Sequence, residues 1–370
     1  VAAWTARATR WADGHPPPPG AGSGNRTPAD DAEETAWRLW GAQLHEAGLA
    51  TPHWPAEWGG EDATAEEVRA VTRALRRAGA PLPLTDVAVN LVAPSILQHG
   101  TPEQKERFLP GIREGRSVWT QLFSEPGSGS DLASLSVRAR RDGDGFVIDG
   151  QKVWNTYAHL AEFGYLIART GDAGSRHRGL TMFCIPMDAE GITVRPIVEL
   201  SGHPDFNEVF FDGVRVGPAA VLGAVDGGWG ISMGTLGEER RVVGNLSLGL
   251  EADLERVGTV MDAAGARGSG FAERFALIGA EVMSLTALVE SDSLPPVLEG
   301  AGKILFSELN IELTQLGVDL AAEFPDVVPA GWARRWNDSY RYTRGYTISG
   351  GANEILRNVI ARRGLGLPRT

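Results

Sequence analysis

One stretch concentrates side chains whose type and spacing could do chemistry: Gln121-Leu122-Phe123-Ser124-Glu125-Pro126-Gly127-Ser128-Gly129-Ser130-Asp131. It is a short polar loop directly after an apolar run that includes Val118, Trp119, Leu122 and Phe123. Gly127 and Gly129 permit positive φ, so backbone N–H groups can converge into a concavity that suits an anion. Ser124, Ser128 and Ser130 add hydroxyls that donate and accept hydrogen bonds. A plain surface turn is the competing reading, because Pro-Gly-Ser clusters are mostly turns. Other chemistries find less support. The histidines (His15, His45, His53, His99, His159, His177, His203) are scattered, with no His-x-x-x-His or Glu-x-x-His pair, so no metal site is expected. No Gly-x-Ser-x-Gly elbow is present, which weakens a serine-hydrolase reading.

The elements that must position this loop change character twice along the chain. Residues before Val118 read as helices. Trp4 to Asp13 is a first fragment, and Asp30 or Asp31 caps a helix carrying Trp37, Leu39, Trp40 and Leu44. Thr64 caps Ala65 to Ala78, Val87 to Leu97 reads as a buried helix, and Thr101-Pro102-Glu103 starts another that ends near Gly115. From Val118, short strand candidates follow at Ser136–Arg141, Phe146–Asp149, Gly150–Thr156, Tyr165–Arg169, Leu180–Met187, Ile192–Pro196 and Glu208–Asp212. Asp142-Gly143-Asp144-Gly145 supplies a hairpin turn. Such spacing predicts a compact β-barrel or sandwich of about 100 residues. After Gly227-Gly228-Trp229-Gly230, the apolar series Leu246, Leu250, Leu254, Val257, Met261 marks one face of a long helix. Phe271–Val289, Pro296–Phe324, Trp332–Tyr346 and Ala352–Arg363 extend it into an antiparallel bundle. The expected architecture is therefore α+β and multi-domain: an N-terminal helical domain (1–118), a central β-barrel (119–224) and a C-terminal helix bundle (225–370). There is no βαβ alternation and no Gly-x-Gly-x-x-Gly between strand and helix, which argues against a Rossmann domain.

Bulk properties narrow the partners. A 370-residue chain with 42% hydrophobic and 22% charged residues is ordinary globular protein. Its net charge of −12 argues against general nucleic-acid binding, while leaving room for a local basic pocket. The single cysteine, Cys184, lies in the apolar run Thr181–Ile185 and is expected to be a buried inert thiol. No apolar run reaches the roughly 20 residues needed to cross a bilayer. These features predict a cytoplasmic protein with no membrane association.

Three motifs in this order of elements resemble the acyl-CoA dehydrogenase family, and the likeness covers nearly the whole chain. Phe123–Asp131 is similar to the family's Thr/Ser-Glu-Pro-x-x-Gly-Ser-Asp signature, and Asp149-Gly150-Gln151-Lys152-Val153-Trp154-Asn155-Thr156 to its Gly-x-Lys-x-Trp-x-Thr/Ser strand. Ile348-Ser349-Gly350-Gly351-Ala352-Asn353-Glu354-Ile355-Leu356-Arg357-Asn358 resembles its C-terminal segment. The resemblance implies FAD as cofactor and an acyl-CoA as substrate. Ser124, with Leu122 and Phe123, would meet the flavin ring edge. Gly129 and Ser130 would face the flavin pyrophosphate and the pantetheine arm, Trp154 would pack on the isoalloxazine, and Thr156 would bond near its N5.

Abstraction of a proton α to a thioester needs a carboxylate held dry. In one branch of the family it lies in the C-terminal segment, where this chain has Gly350. In another it immediately precedes an arginine on the first bundle helix. Thr235-Leu236-Gly237-Glu238-Glu239-Arg240-Arg241 matches that second pattern, so Glu239 is the expected base, with Arg240 and Gly350 on the substrate side. Glu238 as the base, or both as solvated charges paired with arginines, are the alternatives.

Departures from the family include Ala352 in place of a threonine, no clear Arg-x-x-Phe-Gly element (the region Arg267 to Arg274 stands nearest), and no Gly-Gly around Gln315-Leu316-Gly317-Val318. The resemblance further implies an electron-transfer flavoprotein as acceptor and a homodimer or tetramer. A hetero-oligomer with a non-catalytic subunit, or an oxidase or monooxygenase on the same scaffold, are the rival readings.

Overall fold

Local signals place most elements where the periodicity expects them. The structure is a computed structural model describing residues 1–21, 27–268, 270–291 and 298–368, with the side chains of residues 173, 239–245, 267 and 299 outside the description. Its contacts group into two compact units. One comprises Thr27–Asp62 and Leu82–Glu238; the other comprises Val1–Arg26, Ala63–Pro81 and Glu239–Thr370.

The first unit holds helices α2 (Asp31–Glu46), α4 (Ala93–His99) and α5 (Pro102–Arg113) and all the strands. Asp30 caps α2 by accepting from the Glu33 N–H. Thr101 and Gln104 form a capping box on α5, whose Pro102 stands where no N–H is needed. Gln104 Nε2 also donates to the carbonyls of Ala219 and Val221, at 2.9 and 2.8 Å, anchoring α5 to the end of the sheet domain. The single helix expected over Val87–Leu97 is instead a π-helical turn, Ala88–Val92, running into α4. Pro94 falls in the first turn of α4, where its missing N–H costs little.

The strands are β1 (Trp119–Leu122), β2 (Arg138–Asp142), β3 (Gly145–Thr156), β4 (Phe163–Arg169), β5 (Leu180–Pro186), β6 (Ile192–Ile197), β7 (Phe206–Val216) and β8 (Val221–Leu222). They pair in the order β6-β7-β3-β2-β4-β5-β8, with β1 parallel to β4. The β2–β3 hairpin closes with Asp142 opposite Gly145, as the Asp-Gly pairs predict. The expected closed barrel is an open sheet instead. Its end strands explain why: β8 has two residues, and β6 carries Pro196, which cannot donate to a further neighbour.

Strands β4 and β5 are buried almost throughout, because both faces are covered. Tyr165, Ile167, Met182 and Cys184 face a core shared with Ile96, Phe108 and Ile112 of the helices. Leu166, Ala168, Phe183 and Ile185 face the opposite core with Phe146, Ile148 and Val209. Cys184 is buried, and desolvation pushes its thiol up to about 12, an inert core residue.

The second unit contains α1 (Ala2–Gly14), α3 (Ala65–Arg77) and the helices α7 (Gly270–Val289), α8 (Glu299–Glu323), α9 (Trp332–Tyr346) and α10 (Asn353–Val359). Helix α6 (Gly228–Ala263) begins well before the leucine series, and the boundary between units falls within it, after Glu238. Leu250, Val257, Met261, Val282, Leu313 and Trp336 build the bundle core. Gly317 is needed there, since a Cβ would stand 2.2 Å from the Trp336 ring. Arg73 of α3 joins Glu251 and Glu290, each at 2.8 Å, so an N-terminal helix is tied to the bundle by charge. Among the described residues, no helix is long and apolar enough to cross a membrane.

Candidate active site

Strand β1 delivers the polar loop to one end of the sheet, and the first link is a buried ion pair. Lys152 and Glu125 are both inaccessible to solvent, with Nζ 2.9 Å from Oε1. The same Nζ donates to the Phe123 carbonyl at 2.8 Å, and Val153 N–H donates to the Ser124 carbonyl at 2.9 Å. Glu125 also accepts from the Ser136 N–H and hydroxyl and from Val137 N–H. Residues 123–125 are thereby clamped onto β3. Desolvation pushes Lys152 down to about 8, opposed by Glu125. Desolvation works upward on Glu125, yet Lys152 and Ser136 outweigh it and keep its carboxyl below the ordinary range. Neither residue receives a role from sequence reasoning, although both stand in the motifs. A lysine at a core-facing position of a strand was the available signal.

Beyond the clamp the chain turns tightly, Glu125 and Ser128 exchanging both backbone hydrogen bonds at 2.9 and 3.0 Å. Neither Gly127 nor Gly129 takes a positive φ, so conformational freedom is not why glycine stands there. A Cβ at either position would meet nothing within 4 Å, which leaves open space on the outer side of the loop. The Ser128 hydroxyl is turned inward onto the Asp131 carbonyl at 2.7 Å. Ser130 is exposed and Ser124 half-buried. Leu122 is fully buried and its side chain fills the space above Gly164, so only its backbone can face a ligand. Phe123 is likewise buried, its ring 5.7 Å from that of Tyr165.

Strand β3 supplies the facing aromatic. Its pairing with β7 slips between Lys152 and Asn155, and Trp154 occupies this irregularity with φ +64. For a bulky L-residue that conformation costs about 1–2 kcal/mol. The indole is 59% exposed and makes an edge contact with Phe206 at 6.1 Å. Strained backbone presenting a large aromatic outward is not explained by packing within the chain. Asn155 holds the bulge: Nδ2 donates to the Gln121 carbonyl at 2.8 Å, and its own carbonyl accepts from Asn207 at 2.9 Å. The Asn155 Oδ1 is buried without a donor. Thr156, half-buried, ends the strand opposite Phe206.

The structure thus ties the loop at Gln121, Phe123 and Ser124 to Lys152, Val153 and Asn155, on the strand that also carries Trp154 and Thr156, with Gly129 and Ser130 farther along the same loop. An exposed indole on a strand that also carries the half-buried Thr156, next to the loop that carries the half-buried Ser124, fits a flat heterocycle with hydrogen-bonding edges, and the open glycine turn fits its anionic extension. An isoalloxazine with its pyrophosphate has that chemistry.

Gly350 lies in the second unit, with φ +65, followed by Gly351 at +99. That segment hangs on a buried cluster which sequence reasoning did not find. Lys303 Nζ donates to the Gly351 carbonyl and to Asn353 Oδ1, both at 2.8 Å, and Asn353 donates to Ser307 at 3.0 Å. Lys303 and Ser307, one turn apart in the largely apolar helix α8, were the signal. Glu239 and Arg240 lie in α6, but their side chains are outside the described residues, as are residue 269 and the side chain of Arg267. Arg274 pairs with Asp319 at 2.7 Å. Just before Glu239, Thr235 is fixed by hydrogen bonds to Tyr165 at 2.9 Å and Ser95 at 3.2 Å.

Comparison with known proteins gives a consistent result. Residues 25–116 match the family model for the acyl-CoA dehydrogenase N-terminal domain, and residues 120–214 match that for its middle domain. The acyl-CoA dehydrogenase IpdE1 of Mycobacterium tuberculosis is 38% identical over 344 residues, covering 90% of this chain and 88% of the relative. Among solved structures, the Tcur3481-Tcur3483 steroid ACAD is similar with a TM-score of 0.88 at 30% identity, over 100% of this chain and 99% of that one. The ChsE4-ChsE5 complex from Mycobacterium tuberculosis is similar with a TM-score of 0.84 at 27% identity, over the same shares.

Proposed function

The chain belongs to the acyl-CoA dehydrogenase family, and from that premise we propose that it uses FAD to convert an acyl-CoA to the trans-2-enoyl thioester. The observation that carries this reading is the strained, exposed Trp154 beside Ser124, a wall and a polar edge for a flavin. FAD, when bound, supplies a two-electron acceptor for the hydride leaving Cβ. The protein's part is to hold the thioester between that ring and a base, and to take the α proton. Glu239 is the residue we assign to that proton. Leu122 and Phe123 would contribute backbone groups and Ser124 and Thr156 hydroxyls at the ring edge. Gly129 and Ser130 would line the pyrophosphate and pantetheine, with Arg240 and Gly350 beside the thioester. Gly350, lacking a side chain, leaves room for a carboxylate arriving from a helix.

Among acyl groups, a steroid-derived chain has the best support, because a similar solved enzyme is a steroid ACAD. Both similar structures cited above pair two named chains, which supports a hetero-oligomer over the homodimer or tetramer. An electron-transfer flavoprotein as acceptor and a cytoplasmic location complete the reading.

Anaerobic titration of the purified flavoprotein with short, long, branched and steroid-derived acyl-CoAs tests it. Bleaching of the flavin absorbance is expected with at least one of them, steepest for the steroid-derived thioester. If no acyl-CoA bleaches a fully loaded flavin, the reading falls.

A further inference from the structure

Ahead of Glu239, helix α6 is fastened to the sheet at both ends of its opening turns. At the start, Gly228 lies so close to β5 that a Cβ there would stand 2.7 Å from the Thr181 carbonyl carbon. Farther on, Thr235 is buried and its hydroxyl donates to the Ile231 carbonyl at 3.1 Å. Both lone pairs of that oxygen are left to accept. The hydroxyls of Tyr165 in β4 and Ser95 in α4 stand 2.9 and 3.2 Å from it. Ser95 has a second acceptor in the Leu91 carbonyl, at 3.3 Å. With the Thr235 proton committed to Ile231, Tyr165 is the donor of its bond. A helix fastened at one point can still turn about its axis. A second attachment, about 10 Å farther along, fixes the rotation as well.

Tyr165 reaches the root of the polar loop from its other side. Gln121 is its partner in the β1–β4 ladder, and its ring centre lies 5.7 Å from that of Phe123. The same core gathers Phe123, Tyr165, Ile96 and Ile231, with Met233 and Leu236 of α6 packed against it. Burial pushes the Tyr165 hydroxyl up to about 12, so it keeps its proton and remains a donor at neutral pH. From Phe163 to Ala168, β4 is otherwise without a polar side chain. A phenylalanine would fill the space of this ring equally well, whereas a buried hydroxyl costs stability unless it is bonded. What the hydroxyl adds is direction: it fixes α6 against the strand beside the loop.

We infer that Tyr165 is a positioning residue for the dehydrogenation. Its ring meets the loop segment assigned to the flavin edge, and its hydroxyl, through Thr235, sets the rotation of the helix whose next turn carries Glu239. The reaction takes a proton from Cα and a hydride from Cβ, and both acceptors must be in reach of the same bound thioester. The register between helix and loop therefore governs the rate. Being fully buried, Tyr165 acts through Thr235 and not on the substrate. The inference rests on the acyl-CoA reading and on Glu239 as the base.

Tyr165→Phe and Thr235→Val each remove the bond while keeping the side chain's shape, and Thr235→Ser keeps the bond. Anaerobic flavin reduction is timed with an acyl-CoA that reduces wild type, in ordinary, Cα-deuterated and Cβ-deuterated form. Tyr165→Phe is expected to slow reduction about tenfold with flavin affinity unchanged. The Cα isotope effect should rise relative to the Cβ effect, because the proton acceptor is the one displaced. Thr235→Val should behave alike, and Thr235→Ser should retain most of the rate. The double variant should be no slower than Thr235→Val, since the bond is already gone. A merely structural bond would lower the unfolding midpoint and leave the ratio of isotope effects alone. Reduction by Tyr165→Phe at the wild-type rate, or slowing with that ratio unchanged, overturns the inference. So does slowing that adds in the double variant. If wild type is reduced and Glu239→Gln is reduced as fast, the base lies elsewhere and the inference falls while the dehydrogenase reading stands. If no acyl-CoA reduces the wild-type flavin, that reading fails and the inference with it.

Discussion

Trp154 combines a strained backbone with an exposed indole. Its φ of +64 is a conformation glycine adopts freely, so Trp154→Gly relieves the strain while deleting the ring. The expected outcome is an unliganded stability within about 1 kcal/mol of wild type and flavin binding weakened about tenfold, read from melting curves and flavin dissociation. Undiminished flavin retention would contradict the assignment. The Lys152–Glu125 pair predicts the opposite pattern. Lys152→Met leaves a buried carboxylate alone and should cost about 3–5 kcal/mol in urea unfolding, with Glu125→Gln in the same chain recovering part of it. A double variant no more stable than Lys152→Met would show the two charges to be uncoupled. Residue type singled out Ser124, and the resemblance to the family's motifs added Trp154 and Thr156 as site candidates, but neither showed what holds them. The Lys152–Glu125 bond spans 27 positions, a separation at which neither periodicity nor motif spacing carries information. The glycines misled for a related reason: Gly127 and Gly129 are consistent with room for a ligand, whereas sequence suggests only conformational freedom.

At the scale of elements, the strand carrying Trp154 is joined to the segment before β7 by a buried acid. Tyr157 N–H donates to the Asp205 carbonyl at 3.1 Å, while the Asp205 side chain accepts from Thr27 N–H. Burial pushes the Asp205 carboxyl up to about 7, with Glu199 adding to the rise and Thr27 opposing it. A raised carboxyl keeps its proton in the folded state longer than in the unfolded chain. Its contribution is therefore complete below the ordinary value of 3.8 and is lost as pH climbs to about 7. The slope is at most on the order of 1.4 kcal/mol per pH unit. Asp205→Asn keeps the acceptor for Thr27 and removes the titration, so the variant should be more stable than wild type at pH 8 and similar below pH 4 in urea unfolding. Lower stability at pH 8 would contradict the assignment. Strand and helix positions were readable because turns, caps and apolar periods are local. Closure of the sheet was not, since it depends on what the edges of β6 and β8 meet.

At the scale of the whole molecule, composition reads as helices, strands and helices again, while contacts place α1 and α3 with the C-terminal helices. The links responsible, such as Arg73 to Glu251 and Arg77 to Glu255, join residues 178 positions apart and leave no periodic trace. Purified alone, the chain is expected to hold less than one flavin, and to reach one per site when produced with a second related chain, by absorbance and light scattering. Full flavin loading of the isolated chain as a homo-oligomer would remove the case for a partner. The mass of the product decides which reaction the chain performs. Acyl-CoA incubated anaerobically with the loaded enzyme and an artificial electron acceptor should lose two hydrogens, one from Cα and one from Cβ. Glu239→Gln should slow this by about 10²–10⁴-fold without loss of flavin. An unchanged thioester with wild type, or an undiminished rate in Glu239→Gln, would contradict the account.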